Sequence, residues 1–368
     1  MSEPIYVLQT LLIAGLLLVL CWRESVLLRV QILVWSIGVT SLVARFGLNE
    51  QLNFYSNDQR FYTSVVNDLS TQQFSADLDW WLNSAKLPYT VPASVLGAIG
   101  IDSSLALKTI SLICLLVLTR HVIKSQIPAT FTNISSSLFI TACGGIGVFY
   151  SLLALRETMM MLLVTRFVTT SSPATRALMI LLIFLLRPHL AAALVVAAVV
   201  IMLWDQLELR YRPSGLGFLG IAGLGSVIGS MLFSLGNWSQ GSSLLDNIGR
   251  LGIDSATRIA SNFVGLQFLT ARSETVEFSI RSLLVLRIVF SETIIIPTLF
   301  TAILLVRPQL ANTQSRLVLL SFSIYVGLVT NTDFNSFRQN IPFMAVMGLV
   351  ILHHLKQTPA RDRIETSN

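Results

Sequence analysis

The sequence predicts an all-α fold, a polytopic membrane helix bundle of about ten or eleven transmembrane or half-membrane helices with two long outer loops. Three observations carry that prediction. Of 368 residues, 53% are hydrophobic and 12% charged, and the mean hydropathy is +0.71, far from the balance of a soluble domain. The apolar runs recur at membrane-spanning length, where a soluble core would interrupt them every few residues. Finally, the short connections between the runs are basic on alternate sides, as short cytoplasmic loops are. One integral membrane domain, 1–368, is the economical reading.

The first run, Pro4 to Trp22, has no charge. No basic region precedes it and a second run, Val26 to Ala44, follows at once, so it reads as a retained helix rather than a cleaved signal. Further helices are expected near 105–119, 136–155, 157–170, 177–187, 189–204, 215–235, 288–306, 317–331 and 341–355. The stretch from Ala177 to Trp204 is broken only by Arg187-Pro188-His189. If it were a single span, Arg210 and Arg212 would lie across the membrane from Arg23, Arg29, Arg120 and Lys124. A fold-back at Pro188 puts all of these on the cytoplasmic side, together with Arg176, Arg307, Arg316, Lys356, Arg361 and Arg363. The amino terminus is then expected outside and the carboxyl terminus inside. The fold-back segments are short for full spans and suit half-membrane helices that meet in a protein-lined cavity.

Two long segments, 46–104 and 236–287, then face outward. The first holds Glu50, Asp58, Asp68, Asp77, Asp79 and Asp102 against Arg60 and Lys86, and its Trp80-Trp81 pair suits headgroup level. The second, with Trp238, Arg250, Arg258 and Arg272, reads as amphipathic and partly interfacial. Cys21, Cys114 and Cys143 lie in or beside apolar segments without CxxC or Cys/His spacing, so packing is expected and neither disulfides, a metal site nor a cofactor. The formal charge of +6 is spread over many helix ends, which argues against nucleic acid as a partner. No GxSxG, Walker or HExxH motif is present and no GxGxxG falls between a strand and a helix, so nucleotide-driven chemistry is not expected.

Charge at membrane depth is expensive and marks candidate sites. Four clusters qualify: Asn57-Asp58-Gln59-Arg60 with Tyr62; Arg156-Glu157; Arg187-Pro188-His189; and Asp333 with Asn335, Arg338 and Gln339. Under the topology chosen from the basic loops, all four fall on the outer face. Arginines there offer paired donors to phosphate oxygens, and Asp58 and Glu157 are available as general bases. A lipid diphosphate at headgroup depth is the anionic ligand that such a site suits. The bland readings are loop charges for Asp58 and Arg60, a polar turn for Arg156-Glu157, and snorkelling for Arg187 and His189.

The run Ser151-Leu152-Leu153-Ala154-Leu155-Arg156-Glu157, followed by Leu186-Arg187-Pro188, resembles the polytopic polymerases of bacterial surface polysaccharides. Ser56-Asn57-Asp58-Gln59-Arg60-Phe61-Tyr62 and Asn335-Ser336-Phe337-Arg338-Gln339-Asn340-Ile341-Pro342 are similar to the acidic first outer loop and the late Arg-x-x-x-Pro element of membrane glycosyltransferases that use polyprenyl-linked sugars. The resemblance implies a Wzy-type oligosaccharide repeat-unit polymerase, or a GT-C-like glycosyltransferase adding a single polyprenyl-linked sugar, in the bacterial inner membrane. Its partner would be a polyprenyl-diphosphate-linked glycan, and other polysaccharide-assembly proteins can accompany it. It implies that Arg156, Arg187 and Arg338 hold the departing diphosphate, with Arg60, His189 and Asp333 lining the site, while Asp58 or Glu157 activates the acceptor hydroxyl. Asn57 stands where that family often has a second acid, which leaves metal use and the role of Asp58 open. The alternatives are a lipid or glycan transporter, an exosortase-like transpeptidase using Cys143, Arg187 and His189, and a non-enzymatic assembly partner.

Overall fold

The computed structural model describes residues 2–48, 56–71, 85–126, 145–206, 217, 220, 223–228, 295–306, 313–330 and 340–352. Within them all regular structure is helical. Asp333 and Arg338 lie outside the described residues, as do Cys143, Trp80, Trp81 and the whole of 236–287. The described residues up to Leu163 form one compact unit and those from Val164 onward another.

Three helices frame the first unit: α1 (Glu3–Leu20), α2 (Val26–Phe46) and α5 (Ser103–Gln126). Each is an apolar stretch closed by local signals. Pro4 sits in the first turn of α1, where a missing N–H is harmless. At the end of α2, Gly47 takes φ +74°, a conformation that costs glycine no Cβ clash. Asp102 caps α5, its Oδ1 accepting from Ser104 N at 2.9 Å and Leu105 N at 3.2 Å. Side-chain contacts give the directions. The Arg120–Glu24 ion pair, 2.7 Å, ties the end of α5 to the α1–α2 connection, and Gln31 Nε2 donates to Thr119 Oγ1 at 3.1 Å. At the other end Gln9 Nε2 donates to Gly100 O at 2.8 Å. So α5 runs parallel to α1 and antiparallel to α2. Their common core includes Tyr6, Leu28, Ile32, Trp35, Val39, Leu105, Leu112 and Leu115. Lys108 is also buried, its ammonium 5.8 Å over the Tyr6 ring.

Residues 46–104, expected as a long outer loop, contain two helices that pack along α5: α3 (Ser56–Ser70) and α4 (Leu87–Ala98). Helix α3 is polar by composition but buries Gln59, Tyr62, Val65 and Val66 on one side. Tyr89, at the start of α4, reaches Ser111 Oγ at 2.9 Å and Leu107 O at 3.3 Å, while the end of α4 joins α5 directly. The α4–α5 pair is therefore an antiparallel hairpin. The Tyr62 and Tyr89 rings meet edge to face with centroids 5.8 Å apart, and Gly97 lies against Ser70 and Val66, so α3 runs alongside α4 in the same direction. A short helix α6 (145–151) and the start of α7 (Glu157–Thr169) complete the unit.

In the second unit, α8 (Pro173–Leu186) stops one residue before Pro188 and α9 (Pro188–Gln206) begins on it. The proline excludes helical backbone for the residue before it, and Arg187 is extended, φ −156° and ψ 92°. Its N–H closes α8 on Ile183 O and its carbonyl opens α9 for Leu190 and Ala191. The break expected at Arg187-Pro188-His189 is thus a single residue, with the two helices packed on each other. Helices α10 (Ile295–Val306), α11 (Thr313–Thr330) and α12 (Ile341–Leu352) follow. Helix α9 lies antiparallel to α11, pinned by Arg187 Nη1 to Tyr325 OH at 2.8 Å and by Arg316 to Asp205 at 3.2 Å. Every residue of α12 is buried, with Phe343 packed on Phe322 and Tyr325.

Four helices are long and apolar enough to cross a membrane: Glu3–Leu20, Val26–Arg45, Ser103–Lys124 and Pro188–Asp205. Pro173–Leu186, Ile295–Val306 and Ile341–Leu352 are apolar but shorter. The chain is accordingly a multi-pass membrane protein. Helix α1 leaves Leu8, Leu12, Leu16 and Val19 more than half exposed, the pattern of a helix whose outer solvent is lipid.

Candidate functional site

The polar turn between α6 and α7 is fastened from two sides. From α2, Trp35 Nε1 donates to Ser151 O at 3.2 Å, and Gly38 leaves room for Leu152, whose side chain a Cβ at 38 would meet at 2.8 Å. From α5, Ser111 Oγ donates to Leu155 O at 2.9 Å. The Ser111 hydroxyl also lies 2.9 Å from Tyr89 OH, a bond in which either oxygen can donate. The phenol of α4 therefore supports the residue that immediately precedes Arg156 through one intervening hydroxyl.

Within this frame Ala154 adopts φ +51°. Left-handed backbone costs a residue with a Cβ about 1–2 kcal/mol, and the surrounding bonds hold it there. Ala154→Gly relieves that strain but adds chain entropy of about 0.5–1 kcal/mol and removes a fully buried methyl worth about 0.8 kcal/mol, so its stability is expected to stay within about 1 kcal/mol of the parent. Thermal unfolding in detergent reads the change; a loss well beyond about 1 kcal/mol would contradict the strain.

The turn then delivers two charges. Arg156 is partly buried, with its guanidinium carbon 5.7 Å over the Tyr62 ring, an orientation that cation–π attraction favours. Glu157 is the first residue of α7 and is completely buried. The positive end of the helix dipole favours a carboxylate there, and Glu157 also acts electrostatically on Tyr89. Asp58 lies one turn before Tyr62 on the same side of α3 and is partly buried, whereas Arg60 is exposed.

Depth is the feature that the sequence did not anticipate. Ser111 lies about 12 Å along α5 from its start, at 1.5 Å per residue, and Trp35 lies near the middle of α2. Both bond to the turn, so the turn that carries Arg156 and Glu157 lies well inside the span of the helices around it. Non-helical backbone at that depth is tolerated where protein encloses it or water reaches it. Here Tyr62, in the middle of α3, and the start of α7 meet at the turn.

Of the sequence-predicted residues, the structure brings Arg156, which adjoins Glu157, onto Tyr62 in the first unit, while Asp58 lies one turn before Tyr62 and Arg60 is exposed on the same helix. Arg187 and His189 belong to the second unit. There Arg187 is partly buried on Tyr325 at the start of spanning helix α9, and His189 is exposed. Tyr89, Ser111 and Trp35 were missed. Their role depends on partners 44 and 116 residues away for Ser111 and Trp35, and no local pattern marks them. Cys21 and Cys114 are free thiols, Cys114 buried in α5 as packing predicts. Among the described residues no group of three His, Cys, Asp or Glu side chains converges as a metal ion requires.

No protein-family model, curated protein or solved structure matches the chain. The functional reading therefore rests on this geometry and on the resemblance of the short motifs.

Proposed function

We propose that the chain is a membrane glycosyltransferase of the polysaccharide-polymerase kind, joining undecaprenyl-diphosphate-linked oligosaccharide units. The proposal includes a bacterial inner-membrane location, ten or eleven membrane segments, an amino terminus outside, a carboxyl terminus in the cytoplasm and a site open to the outer face. One observation supports it above the others: a guanidinium held over Tyr62 next to a completely buried carboxylate, both inside the membrane span.

In this reading Arg156 presents two N–H groups to the diphosphate oxygens. Glu157 accepts the proton of the acceptor hydroxyl, whose oxygen attacks the anomeric carbon as the bond to the diphosphate breaks. Arg156 then balances the charge gathering on the leaving group, an effect that strengthens where water is scarce.

The test is glycan chain length in cells carrying Arg156→Ala. Loss of long polymer at a normal protein level is the expected result, and full-length polymer at that level overturns the assignment. The same assay on Arg187→Ala and Arg338→Ala reads whether the other two arginines singled out by the sequence take part.

A second reading, movement of an anionic lipid or glycan, is favoured by one specific observation. The α6–α7 break lies within the membrane span, where transporters place the ends of broken helices around their cargo. Vesicles holding purified protein and lipid-linked glycan separate the two. Transfer across the bilayer without new glycosidic bonds identifies transport, and longer glycans identify polymerisation.

A further inference from the structure

Helix α4 fits neither a spanning helix nor a water-exposed loop. It has 12 residues, whereas crossing the hydrocarbon core takes about 20. Val91, Val95 and Ile99 are nevertheless 42%, 61% and 73% exposed, and their spacing of four puts them along one side of the helix. Tyr89, Thr90 and Ala93 are fully buried.

Two contacts say what surrounds the exposed stripe. Tyr89 OH, bonded to Ser111, ties the start of α4 to a point about 12 Å along spanning helix α5. Gln9, about 9 Å along α1, donates to Gly100 O and accepts from Asp102 N, just past the end of α4. At that level α1 exposes Leu8 and Leu12, so α4 continues a surface that already belongs to lipid. The deep end of α4 is also satisfied for an apolar setting. Ala85 O accepts from Thr90 Oγ1 at 2.7 Å, and Lys86 O accepts from Tyr89 N at 2.9 Å, so these carbonyls do not meet hydrocarbon bare.

We propose that α4 is a re-entrant helix whose Val91–Val95–Ile99 face contacts the acyl chains of the membrane leaflet that the start of α5 enters. Because α4 is antiparallel to α5, Val91 is the deepest of the three and Ile99 the shallowest. The placement holds whichever chemistry the Arg156–Glu157 turn performs.

Depth-dependent quenching tests it. The full chain, with Cys21, Cys114 and Cys143 replaced by alanine, receives one cysteine at 91, 95 or 99 and an environment-sensitive fluorophore. It is reconstituted in phosphatidylethanolamine–phosphatidylglycerol vesicles that carry chain-borne nitroxides. The expected result is blue-shifted emission at all three positions, with nitroxides near the chain end quenching position 91 more than position 99. Red-shifted emission quenched by aqueous iodide at all three, or the reverse depth order, overturns the proposal. The unmodified chain gives a second measurement through photoactivatable acyl-chain lipids. Adducts within 87–102 are expected, and adducts on α1 and α2 alone also overturn it.

Discussion

Glu157→Gln is expected to lower polymer formation by about 10²–10⁴-fold, the usual worth of a positioned general base, while the detergent-solubilised protein stays folded. The amide keeps the shape of the carboxyl group and can still accept a hydrogen bond, so the completely buried pocket around position 157 stays filled. What it loses is charge and basicity. If Glu157 only serves the start of α7, the change removes a favourable dipole interaction of about 0.3–1 kcal/mol and leaves the rate alone. Initial polymerisation rate and thermal unfolding, measured on the same preparation, distinguish the two. A normal rate with a slightly lower melting temperature removes Glu157 from the mechanism, and Asp58→Asn then becomes the informative variant.

Gly327→Ala is expected to be the most damaging small change in the second unit, costing about 1–3 kcal/mol or more through overpacking. A Cβ at 327 would run into the backbone carbonyl of Ser226, and the nearest atoms are all backbone. No side chain can rotate away, so one helix must shift from the other. The same approach recurs four residues earlier along α11, where a Cβ on Gly225 would meet Ser323 Cβ at 2.6 Å and Ser226 Oγ reaches Ser323 O at 3.5 Å. Small residues let backbones come this close where lipid, not water, is the alternative solvent. Gly15 in α1 is the matched control, since nothing lies within 4 Å of its would-be Cβ. Gly15→Ala is therefore expected to be neutral or slightly stabilising, helix propensity favouring alanine by about 1 kcal/mol. Yield of monodisperse protein and its melting temperature read both variants, and equal behaviour of the two would refute the close approach.

Much of the bundle was legible because hydropathy is a local property. The runs of α1, α2, α5 and α9 announce themselves within their own residues, and Pro188 predicts the break at Arg187 because its ring constrains the residue before it. The helices within 46–104 were not legible. Helix α3 reads Ser56-Asn57-Asp58-Gln59-Arg60 at its start, and only a partner helix explains why Gln59 and Tyr62 face inward. Arg156-Glu157 could be singled out as charges between apolar runs, but Tyr89 and Ser111, which support them, look like ordinary residues of their segments.

The sequence by itself determined that the chain is helical and membrane-bound, where four of its spanning helices lie, and that Asp58, Arg156 and Glu157 are polar groups in need of a reason. Only the tertiary structure decided how deep they lie. The expected level was the headgroups, because connections between spans ordinarily reach the surface. Trp35, near the middle of α2, and Ser111, about 12 Å along α5, hold the turn inside the span of those helices instead. Depth is a relation between segments far apart in the chain, and hydrogen bonds across that separation leave no trace in local composition or periodicity.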